Sequence, residues 1–403
     1  MRISYGKNVY GSQEISAVVN QLKKSTQMGL NVDRFEKKIA KLFSKNYGVM
    51  VNSGSSAITL ALKILNIKEN DEVITPVLNF GTAISALIEI KAKPIFIDIE
   101  IENLQILIKD IEKKITKKTK ALLIPNLIGN IPDWIKIKKI AKKNNLKIIE
   151  DSADTLGATL KNKSTGSFSD ISITSFYGSH IISCAGNGGM LLTNNKKFYE
   201  KSKILRSWGR MSSILKDSEN INQRLKIKLK GVEYDKKFVF SELGYNFEPS
   251  EIGASFGLEQ LKKFKKFSKV RNDNFYSHYN FFKNYTNYFI LPKIIKGVST
   301  NFLAYPIILK KNKNFKRKDL QIFLEKNKIQ TRPIFSGNIL RHPAFHKLIS
   351  LRNKLVYFKN SDFIMKNGIL VGCHQGLKKK DLNYIHIVIK KFLNTKIKNK
   401  WKR

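Results

Sequence analysis

Apolar residues along the chain follow two rhythms. Short continuous runs of strand length recur at 47–52, 72–75, 94–99, 120–124, 146–149 and 190–193, and a short alternating run lies at 171–176. Between them apolar positions return every three or four residues, as at Val32, Phe35, Ile39 and Phe43, which predicts helices over 14–24, 32–43, 81–90 and 134–144 and one opening at Ala57. Continuous apolar strands separated by helices predict a mostly parallel sheet covered on both faces. Helices are expected over 252–261 and, rich in aromatics and Lys, from about 265 to 287. Strands at 305–309 and 369–372 and helices at 318–327 and 382–393 then suggest a smaller α+β domain. The expected division is 1–260 and 261–403. The polar stretch 211–231 has no clear period and reads as a loop or lid.

The punctuation of this pattern carries the candidate chemistry. Ser53-Gly54-Ser55-Ser56 stands between a strand and a helix, where free N–H groups favour an anion. An ordinary N-cap reads the same way. Phe80 lies in the turn after the second strand, and Asp151 directly follows the fifth. Asp151 can cap the next helix, or it can hold a protonated ring nitrogen of a cofactor. The run 171–176 ends near Ser175; Gly178, Ser179 and His180 follow, then Gly186-Asn187-Gly188-Gly189 and a second apolar run. A hairpin-like pair of strands therefore carries His180 at its tip, as either a structural histidine or a reactive one. Ligands in open α/β sheets sit beyond the strands' carboxyl ends, and Ser53, Phe80, Asp151 and His180 all fall there.

The formal net charge is +43. Lys outnumbers Arg by about six to one and is spread over the whole chain. That distribution is a compositional bias without the Arg-rich patch a nucleic-acid site favours, so no nucleic-acid partner is expected. Such a surface can still draw small anions to a cleft. No run of about 18 apolar residues predicts a membrane span. The first residues lack an apolar leader, and two cysteines, Cys184 and Cys373, are too few for a disulfide framework. A reducing, cytoplasmic setting is expected.

Taken together, Val51–Ala57, Ile149–Gly157, the Ser175-Phe176-Tyr177…His180…Gly188-Gly189 block and Gly244-Tyr245-Asn246 resemble the DegT/DnrJ/EryC1/StrS sugar aminotransferase family. The resemblance implies the pyridoxal-phosphate fold-type I architecture, with a seven-stranded, mostly parallel sheet. It implies that Gly54, Ser55 and Ser175 hold the cofactor phosphate and that Phe80 stacks on its ring. Asp151 would pair with the ring nitrogen, and Asp154 would support the cofactor. Asn246 would reach the cofactor of a neighbouring subunit, which implies a homodimer. Members normally carry a lysine five residues after the serine at 175, where it bonds the cofactor. Here that position is His180. Histidine there resembles the branch of 3-dehydratases acting on nucleotide-linked 4-keto-6-deoxy sugars, with His180 as acid and base. One type in that branch carries a [2Fe-2S] cluster on four cysteines after a Trp-Gly-Arg element. Met211-Ser212-Ser213 follows Trp208-Gly209-Arg210 here, so no cluster and no metal are expected. The iron-free type uses L-glutamate as amino donor. Arg332 is a candidate substrate contact, or equally a structural ion-pair partner.

Overall fold

The computed structural model describes residues 2–215 and 219–398. Its main sheet has seven strands in the order Tyr47–Val51, Gly189–Thr193, Ile171–Ser175, Lys147–Asp151, Thr119–Pro125, Glu72–Pro76 and Lys93–Ile97. Only Gly189–Thr193 runs against the others. All seven predicted strands are present, each within two residues of the expected ends.

Alternation within each strand divides its side chains between two cores. Val73, Leu123, Ile149, Ile173 and Leu191 pack under helices Gly54–Ile64, Gly81–Glu89 and Lys196–Arg206. Ile74, Leu122, Ile124 and Ile148 face the opposite way, against Trp134 and Ile137 of helix Trp134–Lys143. Met50, Met190 and Leu192 extend that second face under helices Leu30–Leu42 and Glu251–Phe282. Burial on both faces is why these strands read as continuous apolar runs.

A four-stranded antiparallel sheet, ordered Phe289–Ile290, Ala304–Leu309, Gly368–Gly372 and Arg332–Pro333, forms the second unit. Helices Arg317–Lys326 and Lys379–Lys398 cover it. Two helices were expected between 252 and 287; one helix, Glu251–Phe282, takes their place. Nothing in Leu261–Ser268 breaks it, for that stretch has neither Gly nor Pro. The change of texture reflects a change of neighbour. Leu258, Leu261 and Phe264 pack with the large sheet's core, while Phe275 and Phe282 pack in the smaller one. The expected 260/261 boundary therefore falls inside a helix shared by both cores.

In its described residues the stretch 211–231 is more ordered than a bare loop. It holds helical turns at Met211–Ile214 and Ile221–Arg224, and a hairpin pairing Ile227–Leu229 with Val232–Tyr234. Arg224 Nε lies 3.1 Å from both carboxylate oxygens of Asp235, at the hairpin's foot. Short alternating segments with this many lysines give a weak strand signal from sequence. No helix among the described residues is long and apolar enough to cross a membrane.

Candidate active site

The strand register brings the candidate residues to one edge. Pro125 lies opposite Asp151, Asp151 opposite Ile173, Ser175 opposite Gly189, and Gly189 opposite Val51. The turns leaving that edge enclose a cavity of about 510 Å3. Gly54, Ser55, Phe80, Asp151, Asp154, Ser175 and His180 all line it.

At one end is the start of helix Gly54–Ile64. Ser53 caps it, its Oγ accepting from Ser56 N at 3.1 Å. The N–H groups of Gly54 and Ser55 stay free of helix bonds. The cap reading therefore holds, and the cap leaves these N–H groups open to the anion reading. The close fit needs glycine: a Cβ at Gly189 would sit 2.3 Å from the Ser53 carbonyl, and one at Gly54 2.9 Å from Ser175 Cβ. Free N–H groups at the positive end of a helix dipole suit a phosphate.

Asp151 and Asp154 form the acidic wall. Asp151 Oδ1 accepts from Ala153 N at 3.0 Å, and Asp154 Oδ2 accepts from Ile128 N at 2.8 Å. Ile128 adopts φ 60°, a strained conformation for a β-branched residue, which turns its N–H toward Asp154. Burial pushes Asp151 up to about 6, with the neighbouring Glu150 charge adding to the shift. Burial likewise pushes Asp154 up to about 7. Neither has a cationic side-chain partner among the described residues. A buried acid without a cation suits a ligand that brings one, such as a protonated pyridine nitrogen.

His180 sits opposite. Its Nδ1 lies 3.3 Å from the Ser175 carbonyl oxygen, its backbone N donates to Tyr177 O at 2.9 Å, and its ring meets Tyr177 edge-on at 5.8 Å. A carbonyl only accepts, so that contact places the proton on Nδ1 and leaves the Nε2 lone pair free. Burial, aided by the Arg271 charge, holds the imidazole down at about 4, so it is neutral at pH 7. No lysine lines the cavity among the described residues, although the chain carries 74 Lys and Arg.

Phe80 is 58% exposed, its ring open to the cavity and set edge-on to Phe335 at 6.3 Å. Arg332 lies outside, in an adjoining groove of about 380 Å3 that shares Tyr5, Phe80 and Phe335 with the cavity. Its Nη1 donates to Thr331 O at 2.8 Å and its guanidinium lies 5.8 Å from the Tyr5 ring centroid, with no carboxylate partner among the described residues. Asn246 is exposed and outside its own chain's cavity, bridged to Ser207. Tyr5, Leu303 and Phe335 also line the cavity and were not anticipated. They come from the N-terminus and the second unit, and no local pattern marks them. Asn187 and Tyr177 were within reach, since they flank the hairpin tip already singled out.

A model of the DegT/DnrJ/EryC1/StrS aminotransferase family matches residues 10–390. The chain belongs to that family. It is 32% identical over 392 residues to the lipopolysaccharide biosynthesis protein RfbH of Salmonella typhimurium, covering 94% of this chain and 88% of the relative. To the GDP-4-keto-6-deoxy-D-mannose 3-dehydratase of Escherichia coli O55:H7 it is 31% identical, over 90% of this chain and 92% of the relative. The solved structure of an E. coli GDP-4-keto-6-deoxy-D-mannose 3-dehydratase with bound hydrated PLP superposes with a TM-score of 0.85 at 30% identity, covering 96% of this chain and all of that one. A transaminase of Campylobacter jejuni also matches. The mostly parallel sheet and the smaller α+β unit are thus the fold-type I aminotransferase architecture.

Proposed function

We propose that this protein is a cytoplasmic, iron-free 3-dehydratase of a nucleotide-linked 4-keto-6-deoxy sugar, using pyridoxal 5'-phosphate in its pyridoxamine form and L-glutamate as amino donor. The observation that carries the proposal is His180, a neutral imidazole with a free Nε2 in a cavity without lysine. Gly54, Ser55 and Ser175 would bind the phosphate, Asp151 the ring nitrogen, and Phe80 the ring face. Asp154 would buttress the same wall, and Asn246 would serve the partner's site in a homodimer.

When bound, the cofactor supplies an amine for the sugar ketone and an electron sink for the carbon being deprotonated. Asp151 keeps the ring nitrogen protonated, which maintains that sink. His180 Nε2 accepts the proton released beside the ring, then returns it to the hydroxyl leaving the sugar's C3, so one imidazole is base and then acid. Having no lysine to compete for the cofactor, the site favours release of ammonia over return of the amine. Arg332, exposed beside the cavity mouth and without a carboxylate partner among the described residues, would meet an anionic part of the substrate.

The alternative is a sugar aminotransferase, favoured by the matching transaminase. Incubation with pyridoxamine phosphate, glutamate and candidate 4-keto-6-deoxy nucleotide sugars separates them. Dehydration gives a sugar one oxygen lighter with free ammonia, whereas an amino sugar product would establish transamination.

A further inference from the structure

Arg271 is fully buried in helix Glu251–Phe282, yet no carboxylate pairs with it among the described residues. Its hydrogen bonds go to neutral oxygens instead. Nη2 donates to His180 O at 3.1 Å and approaches Ser179 O at 3.5 Å. Nη1 donates to Phe302 O and Leu303 O, both at 3.1 Å, and Nε donates to Gln375 Oε1 at 2.6 Å. Gln375, just beyond strand Gly368–Gly372, turns its amide to Ile181 O at 3.3 Å. Two side chains from separate elements thus gather three successive carbonyls, 179 to 181, around the histidine.

A buried guanidinium without a counter-charge carries a desolvation cost that an apolar residue would avoid. A donor is needed there for the carbonyls it meets, but a charge is not. The planar fork can hold several carbonyls in a fixed arrangement, which one ammonium cannot. The hairpin tip needs such support. Gly178 and Gly186 lie on either side of it, and past the bond from Gly178 N to Gly186 O it leaves the strand ladder.

We propose that Arg271 and Gln375 form a clamp that positions the His180 imidazole for proton transfer. They are positioning residues, reaching the chemistry through the backbone of 179–181. The clamp also ties the histidine to Leu303, a wall of the cavity from the second unit, so displacement of that unit is transmitted to His180. The inference rests on His180 being the acid and base of the proposed reaction.

The test uses Gln375→Leu and Arg271→Lys in the full chain. Hydrogen exchange of peptides spanning 177–183 is measured with and without pyridoxamine phosphate, beside cofactor affinity, kcat and KM. Loss of the clamp should speed exchange in 177–183 and lower kcat by about tenfold to a hundredfold, since small misplacements cost that much. Cofactor affinity and sugar KM should stay within about threefold, because the phosphate turn and acidic wall are untouched. Should Arg271→Lys not fold, Gln375→Leu, uncharged and only part-buried, carries the test. Unchanged exchange in 177–183, or faster exchange with unchanged kcat, would overturn the clamp. Wild-type protein without dehydratase activity whose exchange still responds would overturn the functional reading and retain the clamp as a holder of the histidine loop.

Discussion

Replacing Asp151 by Asn should act in opposite directions on the cofactor-free and cofactor-bound protein. Burial raises the Asp151 carboxyl from 3.8 to about 6. A shift of roughly two units corresponds to about 3 kcal/mol of folding free energy, at order-of-magnitude level. The folded chain holds this proton more tightly than the unfolded one. Stability from this group is therefore full below pH 3.8, falls as pH rises through about 6, and stays low above it. Asparagine keeps an oxygen for the Ala153 N–H and carries no charge to bury. Without cofactor, Asp151→Asn should melt higher than wild type at pH 8, and the gain should vanish near pH 4. With pyridoxamine phosphate the sign reverses. The ring nitrogen loses its counter-charge, and affinity should fall by about a hundredfold if most of that energy is recovered on binding. Thermal melts across pH and a fluorescence titration read both arms. A cofactor-free variant less stable than wild type at pH 8, with unchanged affinity, would refute the argument.

Three further substitutions test other links. Arg206→Met should destabilise the fold by about 3–5 kcal/mol in denaturant titration, because it strands Glu36, buried with Arg206 at 2.8 Å. Gly189→Ala should weaken phosphate binding at the Ser53–Ser55 turn, since its Cβ would meet the Ser53 carbonyl at 2.3 Å; isothermal titration with pyridoxamine phosphate checks this. His180→Lys should give the cofactor a covalent linkage visible by absorbance, and dehydration should stop.

The sheet was legible because burial on both faces leaves short continuous apolar runs, such as Ala121–Ile124, that are too short for helices and end at turn residues. The long helix was not. Its face changes core midway, at the stretch between Phe264 and Phe275, so a single period fails along its length. Within the site, Ser53, Phe80, Asp151 and His180 stood out because each lies at or just beyond a strand end, where the topology converges, whereas Ser55, Asp154 and Ser175 came only from the family resemblance. Tyr5, Leu303 and Phe335 reach the cavity only through tertiary folding, from opposite ends of the chain. Arg271 looked like one more cation on a Lys-rich helix. Only its five neutral oxygen partners distinguish it from the surface charges around it.

The most direct test supplies the purified protein with pyridoxamine phosphate, glutamate and 4-keto-6-deoxy nucleotide sugars, and follows ammonia and product mass for wild type and His180→Asn. The account predicts a deoxygenated sugar with equal release of ammonia, and loss of both in the variant. An amino sugar from the wild type, or a fully active His180→Asn, would contradict it.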